Sequence, residues 1–553
     1  MKMERRDFLK SAGAAASIAM IAPRAIFPRA ADSRVDILID EPISTINPNL
    51  YSHFVEHLGA VVYDGIWVGT DSKIPNVNGI RKALIDALAK IKPGVIRYPG
   101  GCFADQYDWR DGIGPRPKRP SRVNFWADTK YKTSKEYEAL ESGPQKYEPN
   151  WFGTDEFINL CRAVNAKPYL AANLRSLDVR AYLEWLEYCN APAGVTSLSS
   201  QRAANNSKDP YQVQYWGIGN ESWGCGGDFL PEEYAEEFRR FTAWLPTYGV
   251  KLQLIGSGPN GGDLGWTRRF FTKLTEKGTG QLNKLYGWGL HYYCGTTGRG
   301  VANQYDENEW YDLLSRSDHM EGLIRDHWPV MGETDRNHQI KLVVDEWGAW
   351  HNQDADMPPA WLYAYQGTLR DALISAINLD TFQRHADKVA MANPAQLVNT
   401  IHSMFVAHED KFTVTPNYHV FEMYIPHANA TAVRTEFVAP QVSFSRFDAQ
   451  RKETPAKFWG LAGSASINGR TVTLTAVNPD VKNARETEIN IGGATITAAS
   501  ARVLTSTDIH ARNTFENPHG LEPRNENVSL AGGGKLVYRF APASVTRLTL
   551  TIA

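Results

Sequence analysis

The chain has 553 residues, 42% of them hydrophobic and 22% charged, with a formal net charge of −2. That length calls for two or three domains, and that composition excludes a disordered or collagen-like chain. With no long basic run beyond the N-terminal segment, nucleic acid drops out as an expected partner. The five cysteines (Cys102, Cys161, Cys189, Cys225 and Cys294) show no C-x-x-C spacing, so neither a disulfide scaffold nor a structural zinc site is expected. At most two bridges can form, and none is required.

At the N-terminus, Arg5-Arg6-Asp7-Phe8-Leu9-Lys10 precedes an apolar, Ala-rich run over 11–22. This resembles a twin-arginine export signal and predicts a signal segment over 1–31, cut near Ala30-Ala31. The expected destination is the periplasm or the exterior, with no membrane span in the mature chain. Residues 35–39 alternate and form a lone strand. Strand-like runs then recur, ending near Tyr51–His57, at 94–98, 167–173, 215–218, 251–255, 286–293, 341–347 and 388–392. Helical periodicity separates them over 80–91, 155–164, 179–188, 232–244, 267–274, 362–385 and 394–408, with an insertion rich in Asp, Glu and Arg over 304–338. Eight strands alternating with helices call for parallel pairing with crossover helices, which a barrel and an open sheet both satisfy. Polar residues at many strand ends favour a (β/α)8 TIM barrel. From about Thr413 period-2 runs such as Thr471-Val472-Thr473-Leu474-Thr475 predict an appended all-β sandwich, which residues 35–39 join. The expected division is thus 1–31 for the signal, 46–410 for the barrel, and 33–45 plus 411–553 for the sandwich.

Three motifs are read as decoys. His53-Phe54-Val55-Glu56-His57 fits H-x-x-E-H, but its texture is that of a strand, not the helix needed to bring both histidines to one zinc ion. Gly256-Ser257-Gly258-Pro259-Asn260-Gly261 fits G-x-G-x-x-G, but Pro259 is awkward at the mouth of a phosphate-binding helix. Ser257 also lacks the G-x-S-x-G context of a serine hydrolase. No metal or cofactor is expected. The paired carboxylates Glu221 and Glu346 remain. Each ends an apolar strand, follows a polar neighbour (Asn220, Asp345) and precedes a tryptophan (Trp223, Trp347). Two carboxylates on two strand ends suit acid–base chemistry on a sugar, one kept protonated by burial and one kept ionised by donors. The residues alone leave open which is which.

Gly219-Asn220-Glu221-Ser222-Trp223-Gly224, Val344-Asp345-Glu346-Trp347-Gly348 and Arg97-Tyr98-Pro99-Gly100-Gly101 together resemble the glycoside hydrolase family 51 α-L-arabinofuranosidases. Phe54-Val55-Glu56-His57-Leu58-Gly59, His291-Tyr292-Tyr293 and Asn393-Pro394-Ala395-Gln396-Leu397-Val398-Asn399 add to the match. The resemblance implies a retaining enzyme that releases arabinofuranose from plant cell-wall glycans or oligosaccharides, in a family that is often hexameric. It implies Glu221 as general acid/base, Glu346 as nucleophile, and Asn220 as the partner of the sugar 2-hydroxyl. It also implies Glu56, Arg97, His291, Tyr293 and Gln396 as pocket residues. Cys102 stands where many members carry a sugar-contacting Asn, and a thiol is a weak donor and acceptor. Trp109, Trp126, Trp223 and Trp350 are candidates for stacking on the glycan, with a core role equally open. The rival readings are a relative acting on β-glucan or xylan, and a carbohydrate-binding protein without catalysis.

Overall fold

The computed structural model describes residues 31–128, 146–295, 300–355, 357–358, 361–447, 452–531 and 535–553. The twin-arginine-like segment, apart from Ala31, lies outside them. Eight parallel strands stand side by side in chain order: β1 (His53–Phe54), β2 (Val95–Tyr98), β3 (Lys167–Ala172), β4 (Tyr215–Ile218), β5 (Gln253–Gly256), β6 (Leu285–Gly295), β7 (Lys341–Trp350) and β8 (Val389–Pro394). The sheet is nearly closed, because the segment after β8 returns to β1, where Leu397 N–H donates to the Phe54 carbonyl at 2.9 Å. Strands covered on both faces must be apolar almost throughout, and every residue of β2, β4 and β8 is buried. Val95, Tyr169, Tyr215, Ile255, Val343 and Met391, from six different strands, form a cluster of their own that fills the barrel interior.

The outer helices follow from amphipathic spacing and local caps. Thr154–Val164 buries Phe157, Ile158, Leu160, Cys161 and Val164, while Glu156 accepts from the Gly153 N–H at 2.9 Å. Val179–Asn190 buries Tyr182, Trp185, Leu186 and Cys189, and starts where Asp178 accepts from Ala181 N–H at 3.0 Å. The expected helix over 394–408 does not form. Asn399 and Ile401 take positive φ, and the Asn399 side chain bonds Ala60 O and both backbone groups of Ala407. That arrangement folds the segment back across the barrel mouth. The helix comes later, at Pro416–Tyr424.

A second, mostly antiparallel sheet of nine strands has the sandwich-like character expected of the C-terminal part. Ser33–Thr45 runs through it, antiparallel to Thr431–Val438 and parallel to Arg485–Ile491. The two sheets are joined through the buried helix Leu369–Arg384. Its Asp380 accepts from Ser464 Oγ at 2.7 Å, Thr475 Oγ1 at 2.6 Å and Tyr424 OH at 2.9 Å. Among the described residues no helix is long and apolar enough to cross a membrane.

Candidate active site

The polar groups gather at the C-terminal ends of the barrel strands. Arg97, on β2, is 1% exposed and reaches across the mouth with both ends of its fork. One nitrogen donates to Glu346 Oε1 at 2.8 Å, and the other donates to Asn220 Oδ1 at 2.6 Å. Such a buried bidentate cation fixes two acceptors at once. Glu346 lies on β7 beside His291 of β6, after an irregularity in the pairing of these strands at Leu290–His291. His291 and Tyr293 share a face of β6 by the two-residue period. Tyr293 OH donates to Glu346 Oε2 at 2.8 Å, and His291 Nδ1 stands 3.6 Å from the same oxygen. Burial opposes ionisation of Glu346. The charges of His291 and Arg97, with the Arg97 and Tyr293 hydrogen bonds, outweigh it and hold the carboxyl below its ordinary pKa.

Glu221 sits just past β4 with φ +39°, in the left-handed region where a side chain is strained. The turn is held from several directions. Gly224 and Gly226 N–H donate to the Glu221 carbonyl at 2.7 and 3.1 Å, and Ser222 N–H donates to Ser257 Oγ at 3.1 Å. The backbone N–H of Asn220 donates to Asp105 at 3.2 Å. Glu221 Oε1 is 3.0 Å from His291 Nδ1. Oxygens of Glu221 and Glu346 and a ring nitrogen of His291 all lie within 4.8 Å of one another. Burial works against the His291 cation, but Glu346 and Glu221 prevail and raise its pKa.

Glu56 closes another side. Its Oε1 accepts from Phe103 N–H and Trp126 Nε1, each at 3.1 Å, and its Oε2 accepts from Gln396 at 2.9 Å. Burial, and secondarily the Glu346 charge, pushes Glu56 up to about 7. Gly100 and Gly101 are required between these carboxylates. A Cβ would stand 2.6 Å from Glu56 Cγ at Gly100, and 2.7 Å from Glu346 Oε1 at Gly101.

The fold thus gathers Glu56, Arg97, Asn220, Glu221, His291, Tyr293, Glu346 and Gln396 into one network. Trp350 packs edge-on against Tyr293 at 5.0 Å, so it borders the network, and Trp126 belongs to it through Glu56. Trp223 is half-buried on the Glu221 turn. Trp109 is a core residue, stacked on Trp185 and donating to Ala181 O. The H-x-x-E-H segment is extended: His57 contacts Glu148 and Tyr98 at 2.8 and 2.9 Å, and His53 stands against Phe421.

Cys102 is not the free thiol expected in the sugar pocket. Its sulfur is bonded to Cys225, with Cα atoms 5.5 Å apart. The loops after β2 and β4 lie on either side of β3, so the barrel brings together cysteines 123 residues apart. A disulfide sulfur has no proton to donate to a sugar. Asp105, Asp345 and Ser257 were not anticipated. Asp105 accepts from three backbone N–H groups, of Leu174, Arg175 and Asn220. Asp345 takes bonds from Tyr169 at 2.9 Å and Asn393 at 3.1 Å. A signal for Asp345 was present in its place before Glu346, whereas Asp105 ends no strand.

An eight-stranded parallel barrel with two glutamates facing each other across its mouth defines a barrel glycoside hydrolase. Comparison with known proteins narrows this. Residues 87–309 match the family model described as Alpha-L-arabinofuranosidase 1 domain, and residues 345–544 match Alpha-L-arabinofuranosidase C-terminal domain. An intracellular exo-α-L-arabinofuranosidase of Bacteroides ovatus is 31% identical, covering 99% of this chain and 100% of that protein. An intracellular exo-α-(1→5)-L-arabinofuranosidase of Acetivibrio thermocellus is 30% identical, over 67% of this chain and 70% of that one. The crystal structure of a GH51 arabinofuranosidase from Xanthomonas axonopodis pv. citri superposes with a TM-score of 0.84 at 33% identity, over 94% of this chain and 100% of that one. The chain belongs to the glycoside hydrolase family 51 α-L-arabinofuranosidases. The expectation of export to the periplasm or exterior is overturned: the relatives from Bacteroides ovatus, Acetivibrio thermocellus and Bifidobacterium longum are named intracellular. A paired arginine before a short Ala-rich run is too little sequence to outweigh them.

Proposed function

We propose that this enzyme releases terminal α-L-arabinofuranosyl residues from arabinan, arabinoxylan or their oligosaccharides by double displacement, with Glu346 as nucleophile and Glu221 as general acid/base. The observation that carries the assignment is the contrast between the two carboxylates. Glu346 is pinned through both oxygens by Arg97 and Tyr293 and held ionised, as an attacking group must be. Glu221 stands within 4.8 Å of it on the half-exposed turn. This closeness suits retention, whose carboxyl groups sit about 5–5.5 Å apart, rather than inversion at about 6.5–9.5 Å.

In the first step Glu346 bonds to the anomeric carbon while Glu221 gives its proton to the departing glycan oxygen. In the second, Glu221 takes a proton from water, the water oxygen bonds to the anomeric carbon, and Glu346 leaves. Asn220, oriented by Arg97, offers its amide N–H to the 2-hydroxyl, a contact worth most in the transition state. Glu56 and Gln396 hold the sugar hydroxyls farther from the reacting bond. The relatives' designation as exo enzymes supports release of terminal residues. The test is hydrolysis of p-nitrophenyl α-L-arabinofuranoside by wild type, Glu221→Ala and Glu346→Ala. Both variants lose most of their activity, and azide rescues Glu346→Ala with an inverted product. Equal activity in all three sinks the assignment.

A further inference from the structure

The disulfide and the proposed acid/base share one corner of the pocket. Glu221 Oε2 lies 3.6 Å from Cys225 Sγ and 3.8 Å from Cys102 Sγ. All three side chains are half-buried, so solutes in the pocket reach them. Two sulfurs and a carboxylate within 4.8 Å of one another form a donor set able to hold a metal ion. While the sulfurs are bonded to each other they are no thiolates, and the set is incomplete. Opening the bond completes it. A thiol reductant attacks one sulfur as thiolate, giving a mixed disulfide, and a second thiol of the reductant displaces the enzyme sulfur. Cys102 and Cys225 leave as two thiols, and the reductant leaves as its own disulfide.

A soft, borderline divalent cation fits what results. Zinc binds thiolate sulfur at about 2.3 Å and carboxylate oxygen at about 2.0–2.2 Å, so tetrahedral geometry separates sulfur from oxygen by roughly 3.6 Å. Both sulfur–oxygen distances in the protein are already near that value. Only the two sulfurs must part, to roughly 3.8 Å, and Gly224 and Gly226 on either side of Cys225 leave that loop little side-chain bulk to move. Binding releases the two thiol protons to solvent.

We propose that reduction of Cys102–Cys225 creates a zinc site of Cys102, Cys225 and Glu221, which withdraws Glu221 from proton transfer. Zinc then inhibits the reduced enzyme and spares the oxidised one. The inhibition rests on the assignment of Glu221 above, whereas the binding does not, and the two are measured separately. Enzyme reduced with dithiothreitol, freed of it anaerobically, and enzyme left oxidised are each titrated with zinc chloride and with cobalt chloride. The reduced form is expected to bind one zinc ion per chain at this site. It also gains a sulfur-to-cobalt charge-transfer band in the near ultraviolet, and loses hydrolysis at zinc concentrations at least ~100-fold below those affecting the oxidised form. A chelator restores activity, and alkylation mapped by mass spectrometry finds Cys102 and Cys225 opened. Cys102→Ser/Cys225→Ser shows neither the band nor inhibition that depends on reduction. A bond that dithiothreitol does not open in the native enzyme, or a reduced enzyme without the cobalt band, overturns the site. A band without loss of hydrolysis overturns the withdrawal of Glu221 and points back to its assigned role. Both comparisons use wild type, so they stand even where the double variant fails to fold.

Discussion

Tyr293→Phe removes one hydroxyl and one hydrogen bond, the 2.8 Å contact to Glu346 Oε2. The ring stays, and with it the packing on Trp350. A hydrogen bond to a charged acceptor contributes about 1.5–3 kcal/mol, and the ionised carboxylate accepts it far more strongly than the protonated carboxyl does. At about 1.36 kcal/mol per pKa unit, losing it lets the Glu346 pKa rise by about 1–2 units. The acid limb of kcat/KM reports groups of the free enzyme, so it moves to higher pH by that amount. Below the shifted limb the variant is therefore about 10–100-fold slower. Above it the gap narrows, because Arg97 still holds the other oxygen. The assay is kcat/KM for p-nitrophenyl α-L-arabinofuranoside across the acid range, with melting curves to confirm folding. An acid limb that stays in place, or a loss uniform at every pH, refutes the argument that this hydroxyl keeps Glu346, the proposed nucleophile, ionised.

Gly101→Ala places a Cβ 2.7 Å from Glu346 Oε1, which Arg97 prevents from yielding freely. A displacement near 1 Å costs about 10²-fold in kcat, and unchanged kcat shows that the approach is not close. Glu56 is held near 7, above its ordinary 4.5, so its contribution to stability is full below that ordinary value and is lost as pH rises to about 7. Glu56→Gln lacks this term. The melting temperature of wild type therefore falls relative to that of the variant between pH 4.5 and 7, and parallel curves in differential scanning calorimetry count against it.

The barrel was legible because its signals are local. Strand β4 announces itself in Tyr215-Trp216-Gly217-Ile218, and the helix Val179–Asn190 in the spacing of Tyr182, Leu186 and Cys189. The network around Glu346 was legible where its members end strands or sit two apart on one, as His291 and Tyr293 do. What escaped depends on closure of the barrel. Cys225 gives no sign of its partner, since only the fold sets the loop after β4 beside Cys102. Asp105 follows no strand end, and its meaning lies in backbone N–H groups supplied from two other loops. The segment 394–408 carried helical spacing, yet its apolar residues serve to seat a loop that Asn399 ties to Ala60 and Ala407. Trp109 and Trp126 look alike in sequence, and only burial against Trp185 or contact with Glu56 separates them.

Glu346 and Glu221 are proposed to work as a retaining pair. Proton NMR of the first-formed product, recorded before the sugar anomerises, tests it directly. Under retention, arabinofuranose appears first as its α-anomer, with β-anomer growing in only by later equilibration. β-Anomer as the initial product would mean a single displacement by water, and would contradict the assignment of Glu346 as nucleophile.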